Sequence, residues 1–120
     1  MYSSKDPNPE ISNITVIGNT FSGSKRGIAV TNSRSGITIS NNSITNSPDA
    51  VDGMRIEGNK SVNNTYTYNT ISVIPALTGD HAGIRFLSGS TGNAVMNNII
   101  SGYPYEIKDE VGGNMVNPNP

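Results

Sequence analysis

Three basic side chains recur at one place in a short repeated motif, and their types and spacing could support chemistry. That place is held by Ala29, Arg55, Arg85 and Lys108, in the segments GIAV, GMRI, GIRF and EIKD. If these segments are stacked strands, the cations lie about 5 Å apart and repel one another. An anionic ligand such as a uronate carboxylate or a sulfate could compensate them, because guanidinium groups suit both anions. The alternative is a solvated face neutralised by Glu57, Asp109 and Glu110.

The composition limits the classes of protein to which the chain could belong. At 120 residues, 33% of them hydrophobic, it is predicted to be one domain with a narrow core. The absence of cysteine excludes a disulfide scaffold and a thiolate metal site. A net charge of -1 with 14% charged residues argues against nucleic-acid and membrane-surface partners.

The basic motif belongs to a repeat that runs along the whole chain. The segments ITVIGNT, ITISNNS, NTYTYNT, NAVMNNI and NMVNPNP share a central asparagine, at Asn19, Asn42, Asn69, Asn98 and Asn119. Its separations of 23, 27, 29 and 21 residues are typical of the coils of a solenoid. The abundance of Asn, Ser, Thr, Gly and Ile favours short strands and tight turns.

Apolar residues hold fixed places around that asparagine and in the basic motif. The three columns are Val16, Ile39, Tyr66 and Val95; Phe21, Ile44, Ile71 and Ile100; and Ile28, Met54, Ile84 and Ile107. They predict three short strands per coil, about four coils, and a core that is buried only when the coils stack. Hairpins of an antiparallel sandwich, or a disordered tail, would not keep such columns.

The asparagine column is predicted to form the bend between two strands of each coil. Asparagine tolerates a left-handed backbone conformation, and its amide can hydrogen-bond locally. Stacked asparagines can also bond one another in a ladder. We therefore expect each column asparagine to be left-handed and to join the ladder.

The segments NITVIGNTFSG and GITISNNSITN, followed by GIAV and GMRI, resemble the right-handed parallel β-helix superfamily typified by pectate lyases. The resemblance runs from about Ile11 to Asn119. It implies an all-β fold with three parallel sheets and the asparagine bend between the second and third. It also implies that the basic motifs form the first sheet, on which members of the superfamily usually place the substrate groove.

The loops that precede the first sheet carry the other candidate site residues. In a lyase, a base removes the proton next to a uronate carboxylate and a cation neutralises that carboxylate. The candidate catalytic residues are therefore Arg55, Arg85 and His81, with His81 or an arginine as the base. The candidate substrate-binding residues are Lys108, Asp52, Asp80, Tyr103 and Tyr105, with the two tyrosines as sugar-stacking platforms. Ordinary turn chemistry is the alternative explanation for the loop Asp and His residues.

No cofactor is expected, and calcium has little support because the only obvious local donors are Asp49, Asp52 and Asp80. The function predicted is that of a carbohydrate-interacting, non-catalytic segment of an extracellular, cell-surface or phage tailspike-type protein. The alternative is a lyase or related enzyme acting on an acidic polysaccharide. The expected partners are a polysaccharide, acidic ones included, and further β-helix coils or a second copy at the open ends.

One domain is predicted over residues 1–120, with a polar arm at 1–10 and a tail at 114–120. The prolines of the tail would stop a further coil from pairing. The short stack suggests the C-terminal portion of a longer β-helix.

Overall fold

The structure is a computed structural model that describes residues 12–31, 35–57 and 61–116. Those residues form thirteen short β-strands and no helix. The strands are β1 (Thr15–Ile17), β2 (Thr20–Ser24), β3 (Ile28–Thr31), β4 (Thr38–Ser40), β5 (Ser43–Asn46), β6 (Met54–Glu57), β7 (Thr65–Thr67), β8 (Thr70–Val73), β9 (Ala82–Phe86), β10 (Ala94–Met96), β11 (Ile99–Ser101), β12 (Tyr105–Asp109) and β13 (Met115–Val116). The predicted polar arm at 1–10 and Asn119 lie outside the described residues.

Each strand pairs in parallel with the strand three places further along the chain, so the chain forms a solenoid. Sheet I contains β3, β6, β9 and β12; sheet II contains β1, β4, β7, β10 and β13; sheet III contains β2, β5, β8 and β11. The all-β architecture with three parallel sheets is confirmed. In the predicted tail, Met115 and Val116 still pair with β10.

The core lies between the three sheets. The predicted apolar columns are the stacks of side chains that fill it. In sheet I the register joins Ile28 to Met54, Met54 to Ile84, and Ile84 to Ile107. Tyr66 and Phe86 are fully buried and meet edge to face, with ring centroids 5.8 Å apart. A side chain in one coil is thus covered by its equivalents above and below, which is how a thin coil buries its apolar surface.

In three coils, the glycine at the start of the sheet I strand allows this sheet to pack closely against sheet III. A methyl group on Gly53 would lie 2.3 Å from Ile71 Cγ2 and 2.5 Å from the Gly83 carbonyl oxygen. Gly27 and Gly83 approach Ile44 and Ile100 in the same way. The Gly in GIAV, GMRI and GIRF is therefore a packing requirement, which fixes how closely the two sheets approach.

The predicted asparagine ladder stands at the bend between sheets II and III. The Asn69 side-chain amide donates to Asn98 Oδ1 at 3.1 Å and to the Ile39 carbonyl at 3.0 Å, while Asn69 Oδ1 accepts from the Asn42 amide at 3.0 Å. Asn42, Asn69 and Asn98 are buried. The predicted hydrogen bonding between coils is confirmed over Asn19 to Asn98.

The left-handed residue of that bend is not the ladder asparagine, so this detail of the prediction is wrong. The residue before it is left-handed, with φ of 72° at Gly18, 56° at Asn41, 58° at Tyr68 and 60° at Asn97. That residue turns the chain. The next one can then direct its amide into the stack.

A second asparagine ladder, which the sequence analysis missed, precedes sheet II. Asn64 donates its backbone N–H to Asn93 Oδ1 at 2.9 Å, and the Asn93 side-chain amide donates to Asn114 Oδ1 at 2.9 Å. The signal was the first column of the repeat alignment, where Ile14 and Ile37 give way to these three asparagines. Asn64 reaches back into the second coil, because its Oδ1 accepts the Ile37 N–H at 2.9 Å.

Charge is confined to one side of the solenoid. Within the part of the chain that the structure describes, every Asp, Glu, Lys, Arg and His lies in sheet I or in a segment that adjoins it. The strands of sheets II and III carry none. In the same residues no helix is long and apolar enough to cross a membrane.

Candidate functional site

Arg85 in β9 is the centre of the charges on sheet I. Its Nε donates to Asp52 Oδ1 at 3.0 Å, Nη1 to Glu110 Oε2 at 2.8 Å, and Nη2 to Asp80 Oδ1 at 2.9 Å and to the Asp80 carbonyl at 3.1 Å. Only 7% of its side chain is exposed. Arg85 thus lies on the outer face, as predicted, but its guanidinium is bonded to three carboxylates.

Those contacts set the protonation state of Arg85. Burial lowers its pKa, but the hydrogen bonds to Glu110, Asp80 and Asp52 have the opposite effect, and the net pKa is raised above its ordinary value. A guanidinium with so high a pKa stays charged at every physiological pH. Arg85 therefore does not fit the predicted alternative of an arginine as the base.

Asp52 is the buried anion that positions Arg85. It follows β5 and precedes β6, and its Oδ1 accepts both the Ala82 N–H at 3.0 Å and the Arg85 Nε–H. Its side chain is fully buried, and its Oδ2 has no hydrogen-bond partner. Arg55 Nη1 lies 3.9 Å from Oδ2.

Arg55, one coil before Arg85, is held much less closely. Its Nε lies 3.6 Å from Glu57 Oε2, too far for a hydrogen bond, and 26% of its side chain is exposed. Two registered arginines thus have different environments: Arg85 is locked by three carboxylates, and Arg55 makes only long contacts.

Asp80 and Lys108 form the exposed margin of the group of charges around Arg85. Lys108 Nζ donates to Asp80 Oδ1 at 2.7 Å and lies 4.6 Å from the centroid of the Tyr105 ring. The hydrogen bond from Lys108, and then that from Arg85, lowers the pKa of Asp80 to about 2. The bond to Asp80 also raises the pKa of Lys108.

The column of like charges is compensated from within the chain. Asp52, Asp80, Glu57 and Glu110 face Arg55, Arg85 and Lys108. Glu57 and Glu110 were expected as neutralising neighbours. Asp109 was also expected, but its Oδ1 instead accepts the N–H groups of Val111 at 3.1 Å and Gly112 at 2.8 Å. The column as a whole is thus close to electrically neutral.

These side chains surround an open depression of about 280 Å³, here called the charged depression. It is lined by Val51, Asp52, Arg55, Asp80, Arg85, Leu87 and Glu110. Four of the residues named from the sequence (Asp52, Arg55, Asp80 and Arg85) are therefore brought together. Glu110 completes the site, although the sequence indicated it only as a source of neutralising charge.

The other predicted site residues are placed differently. Tyr103 is 9% exposed and its hydroxyl donates to Asn46 Oδ1, so it is not available as a sugar-stacking platform. Tyr105 is exposed, as such a platform requires. His81 lies outside the lining of the charged depression, and its Nδ1 is 2.9 Å from the Val51 carbonyl oxygen. The Nδ1 position therefore carries the proton when the ring is neutral.

The three aspartates considered for calcium are held by other partners. Asp49 pairs with Lys25 at 3.4 Å and accepts a hydrogen bond from Ser47, while Asp52 and Asp80 bond Arg85. Across 12–31, 35–57 and 61–116, no three His, Cys, Asp or Glu side chains are grouped so that they could hold a metal ion.

Comparison with known proteins identifies the family. The family model described as the right-handed beta helix region matches residues 2–116. The chain belongs to this family, so the β-helix resemblance is confirmed and the solenoid is a right-handed β-helix. No curated protein and no solved structure matches the chain.

Proposed function

We propose that this β-helix domain binds a polysaccharide through the charged depression, without catalysing its cleavage. The observation that carries the proposal is the pairing of an acceptor and a donor in one place. Asp52 Oδ2 and Arg55 Nε both lack a hydrogen-bond partner, and both belong to residues that line the depression. Both atoms are covered from solvent, so a sugar hydroxyl, which both donates and accepts, reaches them only when the Arg55 side chain moves aside.

The balance of charge favours neutral sugars over polyanions. Arg85 and Lys108 already face carboxylates at hydrogen-bond distance. A uronate or sulfate would have to displace the carboxylate of Asp80 or Glu110. It would then be repelled by the carboxylates that remain. Tyr105, beside Lys108 at the margin, offers an exposed ring on which a sugar face can stack.

The lyase alternative has less support from the site. Such an enzyme needs a free cation for the uronate carboxylate and a base next to it. Arg85 gives its donors to Asp52, Asp80 and Glu110. The less closely held Arg55 still faces the carboxylates of Asp52 and Glu57. His81, the predicted base, does not line the depression. A binding segment of an extracellular, cell-surface or tailspike-type protein therefore remains our proposal.

The test is binding to an array of neutral oligosaccharides and oligouronates. Arg55→Gln removes one positive charge from the depression, and Lys25→Gln removes one from the exposed Lys25–Asp49 pair outside it. We expect the wild type to bind neutral glycans with little dependence on salt. Arg55→Gln should weaken binding about tenfold, about 1.4 kcal/mol, and Lys25→Gln should bind as the wild type does.

Circular dichroism should first show that all three proteins are folded. If the folded wild type binds no glycan, the proposal is wrong. If oligouronates instead yield unsaturated products that absorb in the ultraviolet, the lyase alternative replaces it. Equal losses in Arg55→Gln and Lys25→Gln would indicate a general charge effect rather than a site.

A further inference from the structure

Tyr68 has a backbone conformation that does not suit its side chain. It occupies the left-handed position of the bend between sheets II and III, where the other coils have Gly18, Asn41 and Asn97. Its φ is 58°, a conformation that is uncommon for residues other than glycine and asparagine. An aromatic residue there is the exception in an otherwise regular column.

The stack imposes this conformation on Tyr68. The Tyr68 N–H donates to the Met96 carbonyl at 3.4 Å, and the next N–H, of Asn69, donates to Asn98 Oδ1 at 2.9 Å. Asn41 makes the equivalent backbone bond, to the Thr67 carbonyl at 3.2 Å. Because the ladder determines the bend, the tyrosine is held there at a cost that asparagine would avoid. Strain of this kind is concentrated at functional sites.

The ring is not placed there to fill the core. Tyr68 is 59% exposed, whereas Tyr66, two residues earlier, is fully buried. Core packing therefore explains Tyr66 but leaves the choice of residue at Tyr68 without a structural reason.

The surface beside Tyr68 carries hydroxyl groups and no charge. The register aligns Thr20, Ser43 and Thr70 in one row next to the bend, and all three are exposed. Neighbours in this row are about 4.8 Å apart, the strand spacing of a sheet. The row continues to Ile99, which is 57% exposed. An aromatic ring beside rows of hydroxyls suits a ligand that has both an apolar face and hydroxyls.

We infer that Tyr68 is the stacking platform of a second carbohydrate-binding surface, at the corner between sheets II and III. The ligand class is an uncharged glycan chain. One sugar ring packs its C–H face on the tyrosine, and its hydroxyls, or those of the next ring, bond Thr70 and Ser43. This surface lies apart from the charged depression on sheet I, so it goes beyond the function proposed above.

The decisive variant is Tyr68→Asn, because asparagine is the residue at this position in two other coils. We expect it to raise the midpoint of thermal unfolding by about 2–5 °C, since the strain is relieved. The same variant should bind neutral oligosaccharides about tenfold more weakly at this surface and leave binding at the charged depression unchanged. Tyr68→Phe keeps the ring and should retain binding. A gain of stability with a loss of binding is an outcome that a merely structural residue would not produce.

Three results would overturn the inference. These are unchanged glycan affinity in Tyr68→Asn, loss of binding in Tyr68→Phe as large as in Tyr68→Asn, and a wild-type dimer in solution that Tyr68→Asn converts to a monomer. The last would assign the exposed ring to contact between copies of the chain. Binding lost in Tyr68→Asn but not in Arg55→Gln would support this surface and contradict the charged depression. The reverse result would contradict this surface alone.

Discussion

Sheet I and the bend between sheets II and III both stack polar side chains coil on coil, but they do so with opposite chemistry. At the bend, asparagine stacks on asparagine, because an amide has both a donor and an acceptor and so complements a copy of itself. On sheet I, Arg85 is registered between Arg55 and Lys108, and none of these side chains can accept a hydrogen bond. Carboxylates from the adjoining loops have to lie between them.

This difference shows which polar columns a solenoid can repeat. A self-complementary side chain needs only the next coil, so the repeat itself satisfies it. A charged side chain needs a partner of another type, which comes from irregular segments such as those that carry Asp52 and Asp80. The irregular side of the solenoid is thus the one that acquires a depression and a candidate site.

Removing the central cation should have the largest effect. Arg85→Leu leaves Asp52 fully buried without its main counter-charge, so we expect the free energy of unfolding to fall by about 3–5 kcal/mol in urea denaturation. The matched control is Arg55→Leu, whose long contacts should cost about 1 kcal/mol or less.

The double variant Arg85→Leu/Asp52→Leu keeps this prediction testable if the single variant does not fold. Removing both partners should restore part of the stability lost in Arg85→Leu, because the uncompensated buried charge is gone. Equal effects of Arg85→Leu and Arg55→Leu would contradict the distinction between a locked and a loosely held arginine.

Breaking the amide ladder should have the next largest effect. Asn69→Ala removes a buried side chain that bonds both neighbouring coils, and it leaves the Asn42 amide without its acceptor. We expect a loss of about 2–3 kcal/mol in the free energy of unfolding. Asn19→Ala, at the exposed end of the same ladder, should cost about 1 kcal/mol or less. If both changes cost the same, stacking from both sides does not stabilise the ladder.

The smallest effect expected is a dependence on pH confined to sheet I. The pKa of Asp80 is about 2 in the folded protein and 3.8 ordinarily, so its ionised form stabilises the fold. That contribution is fully present above pH 3.8 and is lost as the pH falls through about 2. Carboxyl carbon NMR of the Asp80 side chain should show a midpoint near pH 2, and Lys108→Gln should raise it. A midpoint near 3.8 in the wild type would contradict the bridge between Asp80, Lys108 and Arg85.

The sequence was a good guide wherever one residue type recurs at one place. The inward columns, the first ladder and the register that brings Arg55, Arg85 and Lys108 together all follow from alternation and spacing. The second ladder was overlooked because Ile14 and Ile37 open its column. The burial of Tyr103 was not predicted, because its partner Asn46 lies two coils away.

The sequence by itself determined the solenoid, its three sheets and the columns of its core, because a stack of equivalent coils repeats the same contacts. Only the tertiary structure decided the state of the charges. Asp52, Asp80 and Glu110 lie at unequal distances along the chain from Arg85, on segments of different length, and no periodicity indicates that they converge on one guanidinium. Whether an outward arginine is free to bind an anion depends on where irregular loops fold back, and spacing along the chain does not specify that.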